Sequence, residues 1–196
     1  WSLGAGLDFE ASSSMSRETQ DGPTTDGSPA ANAIRPAGKH YDYRVAGRTA
    51  GTYATLDFAP TPRWSAGAAL RLERTRYAYD NRMIAGNTDE NGVPCGAGGC
   101  LYHRPADRTD EFDNIAPKLA LMFAPRAQQR VYANWSRGFR PPEQTELYRL
   151  QRQQGNADLD SEELQGSELG WRGDYQRYEW SLAAYALEKR NVIVRD

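Results

Sequence analysis

The sharpest chemistry in this chain belongs to Cys95 and Cys100, set in the phrase PCGAGGC. Small residues between the thiols make ring closure easy. A local disulfide is the expected pairing, and it implies an oxidising compartment. Two free loop thiols are the plain alternative. A metal centre fits poorly, because these are the only two cysteines and only one of the two histidines, His103, stands near them; the other is His40. Glu162 and Glu163 are adjacent, so on a strand they point to opposite faces and cannot share an acid–base site. NTDENG, from Asn87 to Gly92, offers oxygens to calcium but lacks EF-hand spacing, and it reads as a solvated loop. No GxSxG or HExxH phrase is present. The expectation is no catalytic residue, no cofactor and no metal.

The elements that would position any site are strands. The chain has 196 residues, 39% of them hydrophobic, and a net charge of -2. That balance excludes a strongly basic nucleic-acid binder and a highly charged disordered chain. No apolar run approaches the roughly 18 residues of a membrane helix. Period-two alternation recurs instead. Trp1, Leu3, Ala5, Leu7 and Phe9 share one face. So do Trp64, Ala66, Ala68, Leu70 and Leu72, then Ile115, Pro117, Leu119, Leu121 and Phe123. Val131, Ala133 and Trp135 follow, and Tyr178, Trp180, Leu182, Ala184 and Ala186 close the series. Two segments are less tidy. Tyr41 to Phe58 is clear only at its end, in Ala54, Leu56 and Phe58; Asp160 to Asp174 shows Leu169 and Trp171 opposite Glu168 and Arg172. About seven strands result, with room for a helical turn after Pro142.

The connections alternate in length. APTPRW, APRAQQR and GDYQRYE are short; roughly Ser14 to Lys39, Met83 to Arg108 and Pro141 to Asp160 are long and rich in turn formers. Structureless loops beyond about 12–15 residues are uncommon in compact domains. Long loops at one end and short turns at the other characterise an outer-membrane barrel. Aromatics on the apolar face gather beside the short turns: Phe58, Trp64, Phe123, Trp171, Tyr178 and Trp180. Such a girdle suits a membrane interface. A soluble β-sandwich would not collect them at one end. The opposite face, with Asp8, Glu10, Arg71, Glu73, Lys118, Asn134, Arg140, Glu168 and Arg172, then points into a wet lumen, and the mean hydropathy of -0.79 follows.

Longer phrases now carry a resemblance. VYANWSRGFRPPEQTELY, NADLDSEELQGSELGWRG and WSLAAYALEKRNVIV resemble the TonB-dependent outer-membrane receptors. The matching residues are Gly138, Phe139, Arg140, Pro142, Glu146, Leu147, Tyr148, Asn156, Leu159, Glu162 or Glu163, Glu168, Gly170 and Arg172. NIAPKLALMFAP resembles the preceding strand and turn. The resemblance spans at least Asp113 to Val194 and fits more weakly back to Trp1. It implies an all-β fold: an antiparallel transmembrane β-barrel segment of about seven meandering strands from a barrel of 22, with long extracellular loops and short periplasmic turns. Residues 1–196 would then be one part of the barrel domain, without plug, signal peptide, TonB-contacting segment or C-terminal strand. The expected place is the bacterial outer membrane.

The function implied is TonB-dependent uptake of an iron–siderophore-like cargo, by binding and gated passage. Arg104, Arg108, Tyr148, Arg149 and Arg152, with Arg35 and Lys39, are the expected ligand contacts, because cations in the loops can attract an anionic ferric complex. They can also simply solvate the loops or pair with lipopolysaccharide phosphates. Arg71, Glu73, Arg140, Glu168 and Arg172 would face the lumen and meet the plug. The implied partners are outer-membrane lipid and lipopolysaccharide, the plug, TonB and the ferric ligand, with no nucleic acid. Haem receptors resemble FRAP followed by NPNL with a histidine between; here the words are FRPP and NADL, and Pro141 to Leu159 has no histidine. Haem, cobalamin or sugar uptake remain alternatives within the family, and a general porin or adhesin barrel outside it.

Overall fold

The computed structural model describes residues 1–155 and 157–194. Its strands and helices in chain order are β1 (Ser2–Gln20), α1 (Pro29–Ala33), β2 (Gly38–Thr61), β3 (Trp64–Asn81), β4 (Tyr102–His103), β5 (Arg108–Arg126), β6 (Gln129–Arg140), α2 (Gln144–Tyr148), β7 (Leu150–Gln151), β8 (Glu162–Tyr175) and β9 (Tyr178–Arg190). Seven strands form one sheet in the order β1-β2-β3-β5-β6-β8-β9, each antiparallel to its neighbour. The short β4 and β7 pair separately. This is a β-meander wall, as the alternation predicts, and among the described residues it does not close on itself.

Register fixes the two faces. Ala5 pairs with Ala54, Ala54 with Leu70, and Leu70 with Pro117. Leu121 pairs with Ala133, Ala133 with Leu169, and Trp171 with Leu182. Paired residues share a face, so the apolar sets of all seven strands form one continuous surface. Among the described residues nothing covers it: Leu7 is 85% exposed and Leu182 67%. In water such a surface would aggregate; beside hydrocarbon it is solvated. At the short-turn end Trp64 stacks on Phe123 with centroids 4.4 Å apart, and Trp171 meets Trp180 edge-on at 4.4 Å.

Strand length exceeds what a bilayer needs. β2 has 24 residues and β1 has 19, against about 9–11 for a crossing. The surplus continues past the apolar band at the long-loop end. Here one expectation fails: Ser14 to Gln20 continues β1 as strand instead of opening the first loop. Its partners Gly38 to Val45 carry the pairing upward, so ladder hydrogen bonds outlast the hydrophobic pattern. The first long connection also contains a short helix, α1, capped by the Ser28 side chain accepting from the Ala31 amide.

Among the described residues the polar face has its buried hydrophobic core in this upper part. Tyr41, Tyr43, Val45, Tyr79 and Phe112 lie on it, and Leu147 and Tyr148 fold down onto them. Lower on the same face ions and glycines interlock. Arg71 bonds Asp8 at 2.7 Å and Glu73 at 2.6 Å. The Tyr132 hydroxyl donates to Glu168 at 2.6 Å. Any Cβ on Gly170 would run into the Tyr132 ring, so the glycine makes the space in which that ring lies.

Candidate functional site

The loop-covered end of the polar face is assembled by three long connections. The segment after β6 turns inward at Pro141 and Pro142, where proline removes two ladder donors. The Glu143 side chain and the Glu146 carboxylate cap α2 reciprocally. Arg140, at the top of β6, holds this helix. Its guanidinium donates to Glu162 at 2.7 Å and to Glu146 at 3.1 Å. Glu162 also takes the Ile193 amide at 2.9 Å and Lys189 at 3.0 Å. These contacts, Arg140 first, hold the Glu162 carboxyl down at about 2.

Beyond the cap, α2 delivers Tyr148. Its ring stacks on Tyr79 at 4.4 Å and its hydroxyl donates to Asp110 at 2.7 Å. Burial, then that bond, pushes the phenol far above its ordinary value. Tyr148 is only 2% exposed, packed within the tyrosine layer. Arg104 is buried to the same degree. It too is 2% exposed, and it donates to the carbonyls of Ile84, His40 and Asp89 and to the Thr88 hydroxyl at 2.9–3.1 Å. Such an arginine ties loops together, and burial lowers its pKa.

The remaining cations are more open. Arg149 lies over Tyr41 at 5.3 Å and Tyr102 at 5.1 Å, and it reaches Glu18 at 3.2 Å. Arg152 donates to the carbonyls of Ala97 and Gly98. Arg108 pairs with Asp110, with Asp158 3.7 Å away. Lys39 stands 3.8 Å from Asp42, and Arg35 donates to the Ala31 carbonyl. Beneath the loop after α2 is a cavity of about 610 Å³, lined among others by Glu146, Arg149, Arg152, Gln154 and Asp158. Arg149 and Arg152 thus share one cavity; Arg104 and Tyr148 do not line it.

Cys95 and Cys100 are disulfide-bonded in the loop between β3 and β4. The Arg152 contacts and the β4–β7 pairing fasten that loop to the one after α2. Asp89 spends one carboxylate oxygen on the amides of Asn91 and Val93, a turn-making use of the NTDENG phrase. Among the described residues no cluster of metal-ligating side chains forms. Both ring nitrogens of His40 are engaged, by Glu18 and the Pro36 carbonyl. His103 lies on β4, its pKa lowered by burial and then by Arg104. Asn156 of the quoted phrase lies outside the described residues.

Arg71, Glu73, Arg140, Glu168 and Arg172 all stand on the polar face, with the Arg172 guanidinium 5.9 Å from the Tyr132 ring. Sequence reasoning missed the tyrosine layer. Its signal was present: Tyr41, Tyr43 and Val45, like Tyr77 and Tyr79, keep the parity of the polar residues below them.

Comparison with known proteins agrees with this geometry. The family profile described as TonB dependent receptor-like, beta-barrel, matches residues 1–196. No curated protein matches the sequence. Among solved structures, the closed form of the ferric-catecholate import receptor Fiu from E. coli is similar in fold, with a TM-score of 0.52 at 17% identity, over 95% of this chain and 28% of that one. The chain thus spans a little over a quarter of that receptor's length.

Proposed function

The chain belongs to the TonB-dependent receptor-like β-barrel family, and we propose that it is part of the wall of a bacterial outer-membrane receptor for an anionic, iron–siderophore-like cargo. TonB would supply the energy. The plug would meet Arg71, Glu73, Glu168 and Arg172 on the polar face, Arg140 would hold α2 in place, and the chemistry is binding and gated passage. One observation carries the cargo reading: Arg149 and Arg152 line a single cavity at the loop-covered end. The carboxylates on the same wall, Glu146 and Asp158, already have Arg140 and Arg108 beside them, so the two further arginines suit an anionic chelate better than a neutral solute.

The test uses the full-length receptor with iron-55 ferric catecholate as probe. Arg149→Ala with Arg152→Ala should weaken binding by about tenfold or more, the scale of lost charge-assisted hydrogen bonds. Unchanged affinity would remove the cavity from the cargo's path. A neutral sugar bound as tightly as the ferric chelate would remove the anion preference.

A further inference from the structure

His40 sits between two acceptors. Its side chain is 7% exposed. Nδ1 lies 3.2 Å from Glu18 Oε1, and Nε2 lies 2.9 Å from the Pro36 carbonyl oxygen. A carbonyl and an ionised carboxylate can only accept. A neutral imidazole has one N–H, so it serves one of them and turns a lone pair on the other; the doubly protonated ring donates to both. Leaving one such contact unmade in a buried place costs free energy. The other charged groups around the ring are already engaged. Lys39 reaches toward Asp42, and its amide donates to Glu90. The Arg104 guanidinium is spent on loop oxygens, the His40 carbonyl among them at 3.1 Å. Asp89 takes the Asn91 and Val93 amides. The Tyr102 ring stands 6.2 Å from the imidazole. Among the described residues Glu18 is the carboxylate that meets it.

Glu18 also reaches the cavity wall. Its other oxygen, Oε2, accepts from Arg149 at 3.2 Å. Tyr41, the cross-strand partner of Glu18, lies under that guanidinium, and the Tyr102 hydroxyl accepts from it at 2.8 Å. One carboxylate is therefore shared by a buried imidazole and an arginine of the cavity. With His40 protonated, two cations face one anion, and Glu18 is held at both oxygens. With His40 neutral, Glu18 offsets the whole charge of Arg149 and its hold on the ring weakens. We propose that His40 and Glu18 are positioning residues for Arg149, and that they make anion capture in the adjoining cavity depend on pH. Capture is tighter with the imidazole protonated, because the trio then keeps a net positive charge beside the cavity. This rests on the reading of that cavity as the cargo site. His103, on β4 opposite Leu150, takes no part.

The full-length receptor in detergent, with iron-55 ferric catecholate as probe, tests this between about pH 5.5 and about pH 8, where imidazoles ordinarily titrate. Across that range the parent should lose about fivefold in affinity relative to His40→Gln, the scale of one hydrogen bond. Using the variant as reference cancels the probe's own titration. His103→Gln should keep the parent's profile. A second readout needs no cargo: deuterium exchange at the His40 Cε1 position, followed by mass spectrometry, reports the midpoint of the ring's titration. Arg149→Ala removes a cation that competes for Glu18, so the midpoint should move to higher pH; Glu18→Gln should move it to lower pH. Heat-modifiable migration reports whether each variant is folded. If His40→Gln does not fold, the two midpoint shifts decide the matter. A folded His40→Gln with the parent's pH profile, or a His40 midpoint indifferent to both substitutions, overturns the proposal. The cargo reading fails separately, through unchanged affinity when Arg149 and Arg152 are both replaced by alanine.

Discussion

At the scale of residues, Arg140 joins three elements at once. It bonds Glu162 on β8 and Glu146 on α2 from its place at the end of β6. The side chain of Glu162 is only 7% exposed, so losing Arg140 would leave that carboxylate with Lys189 as its one cation. Arg140→Ala should therefore speed amide exchange in α2 by about tenfold or more, the size expected for a lost charge-assisted hydrogen bond. Unchanged exchange would show that Leu147 and Tyr148 alone hold the helix. The pH dependence has a definite sign. Glu162 is depressed to about 2 in the folded state, so its contribution is complete above the usual glutamate range and lost as pH falls through about 2. Protection of α2 should persist at about pH 4 and fade toward pH 2, with Glu162→Gln removing that step. The sequence placed Arg140 on the polar face but not against Glu146. A contact across a loop depends on how the chain turns after Pro142, and alternation does not encode that turn.

At the scale of elements, the two faces of each strand divide the work. Leu119 lies midway between Phe123 at the girdle and Ile115 at the top of the apolar band. Leu119→Arg in the intact receptor should cost about 2–4 kcal/mol in bilayer folding titrations. Lys118→Leu, one residue away on the other face, should leave bilayer insertion unchanged. If both variants fold equally well, the in/out assignment is wrong. This division was legible because a strand's period is two and each apolar set keeps its parity through the register. Strand ends were less legible. Ser12 to Ser16 offers polar residues on both faces, so nothing in its pattern marks it as strand. It is strand because β2 rises beside it and their backbone groups must be satisfied. The separation of the loop arginines was invisible for a similar reason. Arg104 and Arg149 are the same residue type in loops, and only packing makes one a buried tie and the other a cavity wall.

At the scale of the whole molecule, a lipid-facing wall with no core of its own carries a folded cap at one end. The wall is held by ladders and solvated by hydrocarbon on one side; the cap is held by tyrosine packing and a few arginines. These are different sources of stability, so they should separate experimentally. The seven-stranded ladder contains no residue between Glu143 and Gln154. Deleting Glu143 to Gln154 from the full-length receptor removes Leu147, Tyr148, Leu150, Arg149 and Arg152 together. It also uncovers Tyr79 and Tyr43, which then face water instead of Tyr148. Barrel assembly, read by heat-modifiable migration, should survive, while binding of the proposed cargo should fall to background. A milder change isolates the packing. Tyr148→Ala keeps both cavity arginines but deletes the ring stacked on Tyr79, and should cost about 3–5 kcal/mol of local stability. Its effect on cargo should then be partial, through a loosened loop. If the deletion abolishes assembly with no separable binding defect, the segment is a structural part of the wall and the cavity beneath it is not the cargo site.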